Sequence, residues 1–188
     1  VPTSEMTSPM KYAFLFTAVA LLAACGKKAE TATEITTRIQ AMEDSVFSSM
    51  TFDKRRAQAL LDVYKAYAAA YPQDTLAPEY LFRAANVAKS MHDGEQSITI
   101  YDRVIKEYPS WRRLPDVFYL KAFTIDSELD RKGEAQTAYK EVISRYPDHP
   151  FAKDAKAMIE NLQYTDEELI QRFQQMQGDS SAPATAVQ

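Results

Sequence analysis

The sequence predicts an all-α protein, built as a short solenoid of helical hairpins with a capping helix at each end. Three observations carry this. Glycine is scarce: four in 188 residues, Gly26, Gly94, Gly133 and Gly178. Good helix formers abound, and no run alternates apolar with polar residues as a half-buried strand would. Tyr-Pro occurs three times, at Tyr71-Pro72, Tyr108-Pro109 and Tyr146-Pro147, with spacings of 37 and 38 residues. Seven residues before each of these tyrosines stands another: Tyr64, Tyr101 and Tyr139. A recurring period of this size marks stacked helical units.

Each Tyr-Pro should end a helix, because proline cannot continue one and pushes its predecessor out of the α region. Helical periodicity lies behind each. Ala57, Leu60, Leu61, Tyr64, Ala68 and Tyr71 share one face, as do Ile98, Tyr101, Ile105 and Tyr108. Ala135, Ala138, Val142 and Tyr146 form the third stripe. A second helix should follow each turn, with Pro78, Pro115 or Pro150 in its first turn, where proline is tolerated. These helices carry Tyr80, Ala84, Val87 and Met91, then Phe118, Ala122, Ile125 and Leu129, then Phe151, Ala155, Ile159 and Leu162. Asp93-Gly94 and Lys132-Gly133 read as turns into the next helix. No single copy can bury its apolar face, but stacked copies make a continuous core.

Two segments flank the array. Thr165-Asp166-Glu167-Glu168 has the form of a capping box and should open a last helix with Leu169, Ile170, Phe173 and Met176. Gly178 should stop it, leaving residues 178–188 as a small polar disordered tail. On the other side, Ile35, Ile39, Met42 and Val46 make an amphipathic stripe, giving a helix over residues 32–49. It is expected to dock on the first repeat, with self-association through residues 35–46 as the alternative. The repeat domain proper is expected over residues 51–177.

The amino-terminal segment reads as an address. Met10-Lys11 is a short basic region, and Tyr12 to Ala24 is an uncharged apolar run of 13 residues. A membrane-spanning helix needs about 20. Small residues Ala23 and Ala24 precede Cys25, the one cysteine, so the pattern is that of a secretory signal with translation starting at Met10. Leu22-Ala23-Ala24-Cys25 resembles the lipobox of bacterial lipoproteins. The resemblance implies a signal peptide over residues 1–24, cleavage between Ala24 and Cys25, fatty acylation of Cys25 and a lipidated tether over residues 25–31. The expected place is the bacterial cell envelope, on the periplasmic face of the outer membrane. Gly26 is not the Asp that retains some lipoproteins in the inner membrane.

A formal charge of −4 and a pI near 5.3 argue against nucleic acid as a partner. No catalytic residue is expected. His92 and His149 lie in turn contexts, and no second cysteine, H-E-x-x-H motif, glycine-rich phosphate loop or nucleophile elbow occurs. No metal site or cofactor is therefore expected. On the second helices Arg83, Asn86, Lys89 and Lys121 are placed to line a groove for an acidic peptide or chain terminus. Trp111-Arg112-Arg113, in a turn, has the composition of an interface anchor, with Trp111 and Arg112 as the candidate contacts.

The repeat pattern resembles tetratricopeptide repeats, particularly those of bacterial envelope lipoproteins and periplasmic proteins. Such proteins include the repeat lipoprotein of the outer-membrane barrel-assembly machine and the coordinator of cell division that works with the Tol-Pal system. The resemblance rests on Tyr71-Pro72-Gln73-Asp74 leading to Ala77 and Leu81-Phe82-Arg83-Ala84-Ala85, and on Tyr146-Pro147-Asp148-His149-Pro150-Phe151-Ala152 with Ala155 following. Tyr64, Tyr101 and Tyr139 then stand at the family's aromatic position in the second helix of a repeat, and Pro72, Pro109 and Pro147 at its terminal proline. The Trp-Leu-Gly-Tyr run of standard first helices is absent, and Leu60 stands where Ser97 and Ala135 are small. The resemblance implies a right-handed α-α solenoid that binds envelope proteins and performs no chemistry, held to the membrane by lipid on Cys25. A self-associating structural lipoprotein, or an enzyme with a site of unfamiliar form, are the alternatives.

Overall fold

The computed structural model describes residues 30–48 and 51–180. Cys25, the expected signal peptide over residues 1–24 and residues 181–188 lie outside them. The described residues form helices α1 (Ala32–Phe47), α2 (Lys54–Ala70), α3 (Ala77–Ser90), α4 (Gly94–Glu107), α5 (Leu114–Ser127), α6 (Lys132–Arg145), α7 (Pro150–Asn161) and α8 (Asp166–Ser180). From α1 to α7 each packs against the next, and α5 also meets α7. This is the neighbour-to-neighbour packing of a helical solenoid.

The three Tyr-Pro sites end α2, α4 and α6 in one geometry. Tyr71, Tyr108 and Tyr146 have φ of −128, −129 and −134° and ψ of 58, 57 and 55°. Each donates its backbone N–H to the carbonyl four residues back, and the proline that follows has no N–H to carry the ladder on. The next helices start with Pro78 and Pro115 in second position and Pro150 in first. Side chains close other ends. Asp53 accepts from the Arg55 and Arg56 N–H groups, and Asp93 from that of Gln96. At α8 the Thr165 N–H donates to Glu168 Oε2 at 2.8 Å, and the Glu168 N–H donates to Thr165 Oγ1 at 3.3 Å.

The core is one strip through the stack. Tyr64, Tyr101 and Tyr139 are completely buried, each against an aromatic of a first helix of the next or same hairpin. Tyr64 stacks on Tyr80 with centroids 5.4 Å apart, Tyr101 meets Phe82 at 6.2 Å, and Tyr139 meets Tyr119 at 5.9 Å. Alanines on α3 (Ala77, Ala84, Ala85 and Ala88) have no exposed surface and let that helix sit close to both neighbours.

Three expectations need correction, although α1 docks on its neighbour as expected: Ile35, Ile39 and Val46 are buried and Met42 is half-buried, so the stripe is spent within the protomer. An oligomer using residues 35–46 would first have to undock α1. That helix ends at Phe47 rather than at residue 49. The turns before α4 and α6 do not bend at glycine. The left-handed residues are His92 (φ 58°) and Asp130 (φ 49°), and Gly94 and Gly133 lie in the first helical turn. Gly94 is needed for space, since a Cβ there would meet Leu129 Cδ2 at 2.9 Å and Glu128 Cβ at 3.0 Å. Finally, α8 runs through Gly178 to Ser180. Glycine costs a helix about 1 kcal/mol relative to alanine, but it stops one only by turning left-handed.

Candidate partner-binding surface

The tyrosines of the repeat do more than fill the core. Each hydroxyl reaches an acceptor on the helix before its own. The Tyr64 hydroxyl donates to Glu43 Oε1 at 2.5 Å, that of Tyr101 to Asn86 Oδ1 at 2.9 Å, and that of Tyr139 to Asp126 Oδ2 at 3.3 Å. The acceptors lie on α1, α3 and α5. Burial raises all three hydroxyls well above the ordinary tyrosine value, and the carboxylates of Glu43 and Asp126 add to this at Tyr64 and Tyr139.

Above the first of these pairs lies a groove of about 330 Å3 between α1 and α3. Tyr64 and Val87 supply its apolar floor, and Phe47, 66% exposed, stands at its rim. Asn86 and Ser90 add polar edges, but Asn86 is committed on both sides. Its amide donates to the Phe82 carbonyl at 3.0 Å while its oxygen accepts from Tyr101.

Arg83, expected to grip an acidic ligand, is already held by the protein's own carboxylates. Arg83 Nη1 bonds Glu43 Oε1 at 2.7 Å and its Nε bonds Glu79 Oε1 at 3.0 Å. Glu79 in turn accepts from Arg113 at 3.0 Å, and Arg113 Nε bonds Asp116 Oδ2 at 2.8 Å. Tyr64, Glu43, Arg83, Glu79, Arg113 and Asp116 thus form one polar chain from α1 to α5. Burial opposes the charge of Arg83, but the hydrogen bonds it donates to both carboxylates outweigh burial and hold it charged. Lys121 Nζ is 2.5 Å from Asp102. Lys89 lies 4.0 Å from the centroid of the Phe123 ring, and burial lowers its pKa despite nearby Glu128. The six candidate contacts do not all converge: Arg83 and Asn86 line the α1–α3 groove, Arg83 also lines a cleft with Trp111 and Arg112, and Lys89 and Lys121 line neither. Arg83, Asn86 and Lys89 lie on α3 and Lys121 lies on α5, whereas Trp111 and Arg112 lie in the turn before α5.

Sequence reading did not find Glu43, Glu79 or Asp126, the acceptors that neutralise or complete this surface. Only the Glu79–Arg83 pair carried a readable signal, its i,i+4 spacing. A second hollow of about 620 Å3 lies where α5 and α7 approach α8, edged by Phe123, Asp126, Asp130, Met158 and Leu169. Asp126 is raised above the ordinary carboxylate range by burial, with Asp130 adding to it. Among the described residues no group of three or more His, Cys, Asp or Glu side chains is arranged to hold a metal ion, and no helix is long and apolar enough to cross a membrane.

Residues 79–110 and 116–149 match the tetratricopeptide repeat family. The matched segments pair α3 with α4 and α5 with α6, each closing just past a Tyr-Pro. In the same register α1 and α2, which end at Tyr71-Pro72, make an earlier hairpin. No curated protein matches the chain.

Proposed function

We propose that this protein is a lipid-anchored adaptor of the bacterial cell envelope that holds partner proteins near the membrane and performs no chemistry of its own. Tetratricopeptide repeats generally mediate protein–protein interactions, and two matched repeats support that part of the reading. The groove between α1 and α3 is the observation that carries it furthest. Its floor is apolar, its rim bears an exposed phenylalanine, and its one arginine is neutralised from within. Such a site recognises an apolar side chain of a partner better than an acidic tail, because an incoming carboxylate would have to displace Glu43 or Glu79.

Anchoring rests on the residues around Cys25 alone. Mass spectrometry of the mature amino terminus should find an acylated cysteine, and Cys25→Ser should move the protein from the membrane to the soluble fraction. An unmodified Cys25 would end the lipoprotein reading. For the adaptor reading, affinity purification from cross-linked envelopes should recover a discrete partner. Phe47→Ala, or Ser90→Arg at the groove edge, should lower that recovery without lowering helicity. Recovery unaffected by both changes would place the interaction elsewhere.

A further inference from the structure

The helices that open the hairpins all start at one end of the stack. Arg56, in the first turn of α2, bonds Ser45, near the end of α1, so these two run antiparallel. Thr36 and Thr37, near the start of α1, share a hollow with Tyr80, near the start of α3. Phe47 and Ser90, where the same two helices end, share the α1–α3 groove. Likewise Glu79 pairs with Arg113 at the starts of α3 and α5, and His92 bonds Glu128 just beyond their ends. Tyr119 and Phe151, early in α5 and α7, stack on each other. The three Tyr-Pro turns and the point where the chain enters α1 therefore lie at a single end. Ala32, the first residue of α1, stands seven positions after Cys25, a span of at most about 25 Å.

This end has the make-up of a membrane-facing surface. Leu76, 40% exposed, and half-buried Trp111 edge a cleft of about 530 Å3 with Thr75, Glu79 and three arginines. Arg83 and Arg113 are taken up by Glu43, Glu79 and Asp116. Exposed Arg112 makes no ion pair among the described residues. The flanking carboxylates are engaged too: Asp74 accepts from the Leu76 N–H at 2.8 Å, and Glu107 pairs with Arg103. Charge along the edge is thus close to balanced, and its field selects neither an acidic nor a basic partner. Trp111 meets Phe82 edge-on, with centroids 5.7 Å apart, which fixes the indole. A leucine, an oriented tryptophan and one arginine without a carboxylate are what this edge offers.

Tryptophan settles at the headgroup level of a bilayer, and arginine can lay its stem along apolar surface while its charge reaches the polar layer. We propose that this end of the stack rests on the phospholipid surface, with Leu76 and Trp111 entering the headgroup region and Arg112 meeting a lipid phosphate. The proposal rests on the lipid anchoring set out above. Lipid on Cys25 limits how far the repeats stand from the bilayer, and this edge decides which end faces it. Phe47 and Phe52 are also exposed, but they lie at the other end of α1, 16 residues along, or ~24 Å. A tether at full stretch barely reaches that level. The Phe47 and Ser90 edge of the α1–α3 groove is then the one turned from the bilayer, where a partner can reach it.

Trp111 is the only tryptophan in the sequence, so its emission reports this edge. The protein, extracted from membranes after expression of the full chain, is reconstituted in phosphatidylcholine vesicles with or without brominated acyl chains. Bromine should quench Trp111. Leu76→Glu combined with Arg112→Glu should restore the emission; both positions are exposed, and circular dichroism checks the fold. Trp111→Phe combined with Lys132→Trp moves the reporter to the start of α6, at the opposite end, and should give no quenching. Mass spectrometry of the amino terminus reads anchoring separately. An acylated protein whose Trp111 is unquenched, or is quenched equally in the Leu76, Arg112 double variant, overturns the proposal and leaves anchoring standing. Quenching at position 132 instead puts the opposite end on the bilayer and overturns it as well. An unacylated Cys25 removes both readings.

Discussion

The junction of the first hairpin and the junction of the third use the same donor and the same kind of acceptor but differ in what surrounds the acceptor. Tyr64 and Tyr139 stand at the same position of the repeat, both fully buried, both with a carboxylate as acceptor. At the first junction Glu43 is also bound by Arg83, and the hydrogen bond is short, 2.5 Å. At the third, Asp126 makes no ion pair among the described residues, the bond is long, 3.3 Å, and burial raises the carboxyl. Between them Asn86 does the same work with no charge. The repeat therefore specifies a buried tyrosine, and each junction solves separately the problem of what its hydroxyl meets. Charge is tolerated there when a cation is supplied, avoided by an amide, or left costly.

The largest effect common to all three junctions should come from alkali. Burial raises Tyr64, Tyr101 and Tyr139, and it pushes Tyr67 up to about 12, with Asp74 adding to it. A tyrosine in the unfolded chain titrates near 10. The folded state thus keeps protons that the unfolded state releases. The stabilisation is full below about pH 10 and is lost as pH rises above it. Chemical denaturation midpoints should hold steady from neutral pH and fall steeply beyond that point. A flat profile there would mean that the hydroxyls are not buried together.

Arg83→Met should follow, costing about 2 kcal/mol in urea unfolding, because Glu43, largely out of solvent, loses its cation. Adding Glu43→Gln should recover much of the loss. If the double variant is as unstable as the single one, the first junction is not balanced by that pair. Next, Tyr101→Phe should cost about 1 kcal/mol by leaving the Asn86 oxygen unpaired. Tyr139→Phe should cost less, since its bond is longer and Asp126 is partly in water. The smallest change should be a gain. Asp126→Asn copies the amide of the second junction and should raise stability by about 0.5 kcal/mol, or about 1–2 °C in melting temperature. A loss of stability would show that the carboxylate at the third junction is favourable as it stands.

Much of the scaffold was legible because local chemistry decides it. Proline after Tyr71, Tyr108 and Tyr146 ends a helix wherever it stands, and the Thr165–Glu168 box is made of residues three apart. The tyrosine acceptors were not legible. Glu43, Asn86 and Asp126 precede their tyrosines by 21, 15 and 13 residues, so no fixed spacing marks them. Only packing brings them in. The place of α1 was hidden for a related reason: α3, α5 and α7 each open on a proline that follows a Tyr-Pro turn, and α1 has neither mark. Gly94 was read as a bend, whereas its role is to let α4 approach Leu129, a contact that no neighbouring residue announces. Arg83 looked free for a ligand because its partners sit on another helix and one turn away.

Under the proposed function, the α1–α3 groove is the surface that holds a partner. This is tested most directly by placing a photo-crosslinking amino acid at Ser90, and for comparison at exposed Lys140 on α6, in the protein in its native envelope. A discrete adduct from Ser90 is expected, absent from Lys140 and reduced by Phe47→Ala. The same adducts from both positions, or none from Ser90, would contradict it.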